Sequence, residues 1–123
     1  RVLFRSKKSI CFSAYQMSKD LSIKVMVIMT ESGDTGNTMS SFRPISPIIA
    51  MTPSERVYRK LSLSWGISPV MSRKFKSTDQ MLSFIKGFLV DNKIIKKNEL
   101  FIMTAGVPVG VTGSTNMIKI ERV

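Results

Sequence analysis

Short apolar runs alternate with amphipathic stretches along the chain. Ile10, Ala14, Met17 and Leu21 recur at the three- and four-residue spacing of a helix face. The run 25–29 that follows is continuously apolar and too short for a buried helix, so it predicts a strand covered on both faces. This part of the chain is therefore expected to form a helix and then a buried strand.

The same alternation continues to the last residues. Apolar runs at 47–51, 67–71 and 100–103 predict three further buried strands, and the alternating pattern of 117–123 predicts a half-exposed strand. Helical patterns lie between the first four strands, which gives the order αβαβαβαββ. This order predicts an α/β fold: a three-layer α/β/α sandwich with a mostly parallel five-stranded sheet. The last strand is expected to be antiparallel at an edge, because the loop before it is too short for a crossover helix.

Capping residues indicate where two of the helices begin. Thr52 is the expected N-cap of the third helix, with Pro53 at the first helical position and Glu55 closing a capping box. That helix is expected to end at Gly66. The segment 77–80 repeats the capping pattern before the fourth helix.

Composition narrows the functions that the chain can have. Its 123 residues fit one domain. It has no histidine and a single cysteine, Cys11, which excludes Ser-His and Cys-His catalysis, disulfide frameworks and multi-cysteine zinc sites. Because neither a secretory signal nor an apolar run of about 20 residues is found, we expect a cytoplasmic protein with no membrane partner. Residues 1–8 hold four cations and are expected to be disordered or extraneous, whereas 9–123 form a single domain.

The net charge of +11, from 19 Lys and Arg against 8 Asp and Glu, first suggests a nucleic-acid partner. The cationic clusters at 56–60, 73–76 and 93–97, however, fall on expected helix surfaces and turns. We interpret them as solvated faces and expect no nucleic acid to bind. The thiol of Cys11, beside apolar neighbours on the first helix, is expected to be buried.

Two polar loops are candidates for binding chemistry. The loop 30–38 follows the first strand and leads into a helix, and the glycine-rich loop 106–116 follows the fourth strand. Hydroxyls, glycine and the N–H groups of a helix N-terminus suit a phosphate group, and ligands of such sheets bind at the carboxyl ends of strands. Each loop could also be purely structural, as a capping turn or a hairpin connection. Glu31 and Asp34 place negative charge where an anion would approach.

These loops and the segments between them resemble the carboxy-terminal domain of pyruvate kinase. Residues 30–33 read Thr-Glu-Ser-Gly, Arg43-Pro44 follows, and 47–52 read Pro-Ile-Ile-Ala-Met-Thr. Residues 60–69 match the family's Leu-x-Leu-x-Trp-Gly-x-x-Pro pattern, and 106–116 are similar to the bacterial form of its terminal loop. The blocks keep the family's order over most of the chain.

The resemblance implies that the full-length enzyme transfers a phosphoryl group from phosphoenolpyruvate to ADP with Mg²⁺ and K⁺. The family's catalytic residues lie on a (β/α)₈ barrel of roughly 250 residues, about twice the length of this chain. The resemblance therefore assigns no catalytic residue, metal ligand or cofactor to these 123 residues, and we expect the chain to be inactive alone. Its partners would be the rest of the pyruvate kinase chain.

In this family the domain binds a phosphorylated effector and builds a tetramer. Carried over by position, one group of residues would hold the phosphate: Thr30, Ser32, Gly33 and Thr35. A second group would close over the ligand: Gly110, Thr112, Gly113 and Ser114. The strand 117–123 would pair with its two-fold mate in a homo-oligomer.

Two departures from the family pattern bear on the effector. Glu31 replaces a common cation, and 72–77 are too few residues for the arm that grips a second phosphate. A monophosphate such as AMP or ribose 5-phosphate, or no effector, is therefore favoured over fructose 1,6-bisphosphate. A stand-alone small-molecule sensor of the same fold and a basic nucleic-acid-binding module remain the alternative hypotheses.

Overall fold

The computed structural model describes residues 2–105 and 117–123, and the side chains of 7–105 and 117–123. Helices and strands follow one another in the predicted order over this part of the chain. Their bounds are α1 (Val2–Asp20), β1 (Val25–Met29), α2 (Asp34–Ser41), β2 (Ile48–Thr52), α3 (Glu55–Leu61), β3 (Ile67–Met71), α4 (Thr78–Asp91), β4 (Leu100–Ala105) and β5 (Met117–Arg122).

The five strands form one sheet in the order β3-β2-β1-β4-β5. The pairs of β1 with β2, β1 with β4, and β2 with β3 are parallel, and β5 is antiparallel to β4. The predicted α/β sandwich with an antiparallel strand at one edge is therefore confirmed. The four parallel strands are aligned, so their carboxyl ends meet at the same edge of the sheet.

The central strands are continuously apolar because helices cover both faces of the sheet. One core lies between the sheet and α1 to α3, and its buried residues include Ile28, Ile48, Val57, Leu61 and Ile102. The other lies between the sheet and α4, and its buried residues include Val27, Met51, Ile85, Leu89 and Phe101. Residues alternate between the two cores along each strand, as the two-residue period of a strand requires.

The buried face of helix α1 overlaps the predicted stripe at Ala14 but is rotated relative to it. Its buried positions are Lys7, Cys11, Ala14 and Ser18, whereas Leu21 is 43% exposed. The buried face is rotated relative to the expected stripe because the small residues Cys11 and Ala14 let the helix approach the sheet. Larger apolar residues lie at the sides of the helix. The helix begins at Val2 and so includes part of the segment 1–8; whether that segment is extraneous stays a prediction.

The predicted start of α3 was wrong by two residues. Ser54, not Thr52, is the N-cap, and its Oγ accepts a hydrogen bond from the Val57 N–H at 3.3 Å. Thr52 is still part of β2, because its carbonyl accepts a hydrogen bond from the Ser72 N–H at 2.9 Å. Glu55 is then the first helical residue and pairs with Arg59 at 2.7 Å rather than closing a capping box. The helix also ends earlier than predicted, at Leu61.

The start of α4 follows the predicted capping pattern. Ser77 is the N-cap and accepts a hydrogen bond from the Gln80 N–H at 3.1 Å. The Gln80 side chain in turn accepts a hydrogen bond from the Lys76 N–H at 3.1 Å. None of the helices in the described part of the chain has the length and apolar character needed to cross a membrane.

Candidate functional site

The two candidate loops leave from neighbouring strands at the centre of the sheet. From β1 the chain moves outward to β2 and then β3, and it returns to the other side of β1 with β4. The register aligns Ile28 with Thr104, so β1 and β4 end side by side at the carboxyl edge, where 30–38 begins. This is the point where the strand order reverses, which is where doubly wound sheets bind ligands.

The loop after β1 is a tight turn built by hydroxyl side chains. Thr30 is buried, and its Oγ1 accepts a hydrogen bond from the Gly33 N–H at 2.8 Å. The Ser32 Oγ accepts a longer one, at 3.3 Å, from the Asp34 N–H at the first position of α2. A hydroxyl has one donor and two acceptor positions, so each of these oxygens retains a proton that it can donate outward.

Glycine is required at two positions in this loop. Gly33 is the N-cap of α2 and has φ +89°, a left-handed conformation that disfavours a side chain. Gly36 lies in the first turn of α2, where a Cβ would be 2.9 Å from the Leu61 Cδ2. The absence of a side chain at Gly36 lets α2 approach α3 closely, and this approach places the beginning of α2 over the edge of the sheet.

Polar contacts from the α3–β3 connection hold α2 in that position. The Ser40 Oγ donates a hydrogen bond to the Trp65 carbonyl at 2.7 Å, and the Ser64 Oγ donates one to the Asn37 Oδ1 at 2.7 Å. The Arg43 guanidinium lies 4.8 Å from the centre of the Trp65 ring. Two of the sequence blocks that resemble the family thus contact each other and fix the helix that follows the loop.

A buried lysine offsets part of the negative charge at the loop. The Lys7 Nζ is 3.5 Å from the Asp34 Oδ2, and the Lys7 side chain is only 11% exposed. Sequence reasoning missed Lys7 because it treated the first residues as extraneous. A signal was present, since Lys7 lies four residues before Cys11 and therefore on the buried face of α1.

The described half of the predicted site comes together. Thr30, Ser32 and Gly33 lie in the turn between β1 and α2, and Thr35 is the second residue of α2 and is buried. The other predicted residues, Gly110, Thr112, Gly113 and Ser114, lie outside the described residues.

Sequence reasoning also missed a repeated threonine at the same edge. Thr52 and Thr104 are buried at the carboxyl ends of β2 and β4, on the face that α1 to α3 cover, and Thr30 continues that alternation after β1. The Thr104 Oγ1 is buried and has no hydrogen-bond partner among the described residues. The signal was visible in the sequence, because three apolar runs are each followed directly by threonine.

The thiol of Cys11 is buried, as predicted, and lies on α1 near this edge. Its Sγ is 3.9 Å from the Thr35 carbonyl. Burial raises the pKa of the Cys11 thiol to about 11, and the Lys7 charge opposes this only in part.

We therefore predict that the native thiol reacts more slowly with an alkylating reagent at pH 8 than the thiol of the urea-unfolded chain. The native state favours the protonated thiol, so stability is retained below pH 9 and decreases as the pH rises towards 11. Alkylation followed by mass spectrometry, and urea unfolding at several pH values, measure both effects, with Cys11→Ala as the control. Equal alkylation rates in the native and unfolded states would contradict the burial of the thiol.

The remaining charges are dispersed. The cations of the 56–60, 73–76 and 93–97 clusters are all exposed. Across 2–105 and 117–123, the acidic and cysteine side chains form no group of three or more that could hold a metal ion.

The fold and the loop define a doubly wound α/β domain with a hydroxyl-rich and glycine-rich turn at its switch point. Residues 8–121 match the family described as "Pyruvate kinase, alpha/beta domain". The chain belongs to this family.

Bacterial pyruvate kinases are among its relatives. The pyruvate kinase of Clostridium acetobutylicum is 42% identical over 104 residues, which cover 85% of this chain and 22% of that protein. The pyruvate kinase of Staphylococcus aureus strain USA300 is 44% identical over 115 residues, which cover 94% of this chain and 20% of that protein. The chain thus spans about a fifth of the length of these relatives.

Proposed function

We propose that the chain is the regulatory and assembly domain of a pyruvate kinase and binds a phosphorylated effector between 30–38 and 106–116. The observation that carries this proposal is the turn from Thr30 to Gly33, which leads into α2 at the point where the strand order reverses. The N–H groups of the first turn of a helix and the positive end of its dipole favour an anion there.

The residues of the turn have complementary roles in this proposal. The hydroxyls of Thr30 and Ser32 accept backbone N–H groups, which fixes their oxygens, and donate their protons to phosphate oxygens. Gly33 lets the backbone approach the ligand, and Thr35 extends the donor set into α2. A second group closes over the ligand from 106–116, namely Gly110, Thr112, Gly113 and Ser114.

A monophosphate fits this site better than a bisphosphate. Glu31 adds negative charge beside the turn, and the connection between Met71 of β3 and Thr78 of α4 has only six residues, 72–77. Phe75 in this connection is buried and belongs to the core beside α4, so the segment follows the domain surface. Glu31 repels a second phosphate, and although 72–77 carries exposed cations, it has too few residues for the arm that grips a second phosphate.

The proposed activity of the whole protein is phosphoryl transfer from phosphoenolpyruvate to ADP in the cytoplasm. Mg²⁺ and K⁺ are proposed to be held by the part of the enzyme that the relatives have beyond this domain. The 123 residues are proposed to be inactive alone. The assembly role is assigned to β5, which lies at a sheet edge. No nucleic-acid or membrane partner belongs to this proposal.

The effector is tested by isothermal titration of the chain with AMP, ribose 5-phosphate, fructose 1,6-bisphosphate and, as the uncharged control, ribose. We expect saturable heat with a monophosphate and none with ribose. Saturable tight binding of the bisphosphate alone would overturn the preference argued from Glu31. Absence of binding by all three phosphates would overturn the effector site.

Two charge variants separate a local effect of Glu31 from the overall charge. Glu31→Lys is expected to tighten binding of every phosphorylated ligand, because it replaces repulsion beside the turn with attraction. Asp91→Lys makes the same change in net charge at the end of α4, which lies at the opposite edge of the sheet. If both variants bind the ligands equally more tightly, the overall electrostatic potential of the domain, rather than the charge at Glu31, controls binding.

A further inference from the structure

One lysine lies on the buried face of α1, at the same edge of the sheet as the turn after β1. Among the lysine and arginine side chains of 7–105 and 117–123, only that of Lys7 is buried. Burial of an ammonium group is unfavourable unless the group is paired. The Lys7 Nζ is 3.5 Å from the Asp34 Oδ2, which is longer than the about 2.7–2.9 Å of a strong charged hydrogen bond. The ammonium can therefore gain from a closer and more highly charged acceptor.

The direction of α1 places Lys7 beside the turn. The short connection 21–24 joins the end of α1 to the start of β1, so α1 runs back along the sheet and its earlier turns lie towards the carboxyl ends of the strands. One turn after Lys7, the Cys11 Sγ is 3.9 Å from the Thr35 carbonyl in the first turn of α2. Asp34, which Lys7 contacts, is the first residue of α2. The ammonium therefore lies at the end of α2 that the proposed phosphate approaches.

A second polar group is buried under the same helix. α1 packs on β4, and Thr104 at the carboxyl end of β4 shares by alternation the face of Ile102, which belongs to the core under α1 to α3. Thr104 is 1% exposed, and its Oγ1 has no hydrogen-bond partner among the described residues. Because buried hydroxyls in proteins are nearly always hydrogen-bonded, this observation, which is independent of Lys7, favours a polar ligand at this edge.

We propose that Lys7 binds the phosphate group of the effector and releases Asp34 when it does so. This inference rests on the proposed effector site between 30–38 and 106–116. A phosphate monoester has a charge of about −1.5 to −2 near pH 7 and three acceptor oxygens. The Asp34 carboxylate has a single charge and is 61% exposed, so it remains hydrated after release. The phosphate is therefore the stronger partner for the buried ammonium.

This exchange explains how a turn with two acidic residues can bind an anion. Asp34 balances the charge of Lys7 before the ligand arrives, and the same ammonium balances the phosphate afterwards. Since Lys7 is the one buried cation among the described side chains, it supplies counter-charge for a single phosphate. The preference for a monophosphate then has a second cause besides the repulsion by Glu31.

Removal of the Lys7 charge tests the contact. Lys7→Met is expected to weaken binding of ribose 5-phosphate and of AMP by roughly tenfold or more, and by the same factor, because the phosphate is the group that they share. Lys8→Met is the matched control, since Lys8 is exposed on the same helix and its loss changes the net charge equally. Isothermal titration measures binding, and circular dichroism checks that each variant is folded. Lys7→Gln removes the same charge but keeps a polar side chain, so the test does not depend on one variant being folded.

Asp34→Asn tests the exchange. The variant is expected to bind ribose 5-phosphate roughly two- to fivefold more tightly than the parent chain, because no carboxylate competes for Lys7. In the Lys7→Met background, Asp34→Asn should tighten binding less, since no ammonium is left to release. Equal tightening in both backgrounds overturns the exchange. Unchanged or weaker binding by Asp34→Asn alone overturns it as well, whether or not the Lys7 variants are folded.

The outcomes separate this inference from the proposed function. If the parent chain binds a monophosphate and the folded Lys7 variants bind it equally well, the role of Lys7 is overturned and the effector site remains. An equal loss of binding in Lys8→Met has the same consequence, because the overall charge then accounts for the effect. A parent chain that binds no phosphorylated ligand overturns both the role of Lys7 and the effector site.

Discussion

Replacing Gly33 with alanine is expected to destabilise the domain by about 2–3 kcal/mol. The left-handed conformation at φ +89° costs a residue with a Cβ roughly 1–2 kcal/mol. The added Cβ would also lie 3.2 Å from the Val57 Cγ1, and Val57 is fully buried and cannot easily move away. Urea unfolding followed by circular dichroism measures the change in the free energy of unfolding.

Two other glycines separate the conformational and steric contributions. Gly66 has φ +69° with open space around its Cα, so Gly66→Ala should show the conformational cost alone, about 1–2 kcal/mol. Gly87 lies within α4, also with open space, and Gly87→Ala should stabilise the domain by about 0.5–1 kcal/mol through helix propensity. If Gly33→Ala costs no more than Gly66→Ala, the contact with Val57 is readily relieved and the steric part of the argument is wrong.

The same variant should affect ligand binding. Gly33 joins the turn after β1 to α2, so a shift that relieves the contact with Val57 moves the first turn of α2 relative to Thr30. Weaker binding of a phosphorylated ligand by Gly33→Ala, with unchanged binding by Gly66→Ala, would locate the functional requirement at the turn rather than in overall stability.

The strands were predictable because strands that are buried on both faces contain few polar residues. β1 and β3 have the predicted bounds, 25–29 and 67–71, and β4 extends two residues beyond its apolar run to Ala105. Thr104 continues the ladder because it pairs with Ile28 of β1 and Ile118 of β5, and Ala105 pairs with Met117 of β5. A pattern read from neighbouring residues in the sequence does not show such long-range pairing.

Errors arose where two local signals competed. Thr52 and Ser54 are both good N-cap residues, and pairing with the end of β3, including the hydrogen bond from the Ser72 N–H that follows this strand, keeps Thr52 in β2. In α1, the apolar spacing predicted a buried stripe of Ile10, Ala14, Met17 and Leu21, of which Ala14 is buried and Met17 packs against the core. Tertiary packing also buries the small residue Cys11, while Leu21 is exposed.

The position of the candidate site in the fold was predictable, but not all of its residues were predicted. Parallel strands bring their carboxyl ends together, so 30–38 and 106–116 could be placed at one edge from the element order alone. The contribution of Lys7 depends on α1 crossing the start of α2, and this crossing had no signature apart from a lysine on a buried face. Thr104 was recoverable from the sequence, since it repeats the position of Thr30 after an apolar run.

Replacing Thr30 with valine is expected to destabilise the domain by about 1–3 kcal/mol and to weaken monophosphate binding by at least about tenfold. Valine keeps the shape of the side chain but removes the oxygen that accepts the Gly33 N–H, which leaves that buried donor unsatisfied. The same change removes the hydroxyl proton that the proposed site donates to phosphate. Urea unfolding measures the first effect, and isothermal titration at a temperature where the variant is folded measures the second.

Two variants make the result for Thr30 interpretable. Thr30→Ser retains the oxygen and should recover most of both stability and binding, because the acceptor for Gly33 and the donor for phosphate are both kept. Thr38→Val makes the same chemical change within α2. The Ser41 hydroxyl donates to the Thr38 carbonyl at 2.6 Å, and valine keeps that carbonyl. This variant should therefore change neither stability nor binding strongly. Loss of stability without loss of binding in Thr30→Val would assign the hydroxyl to the turn alone and would move the phosphate contacts elsewhere. If this turn holds the phosphate, folded Thr30→Val should lose binding and Thr30→Ser should retain it.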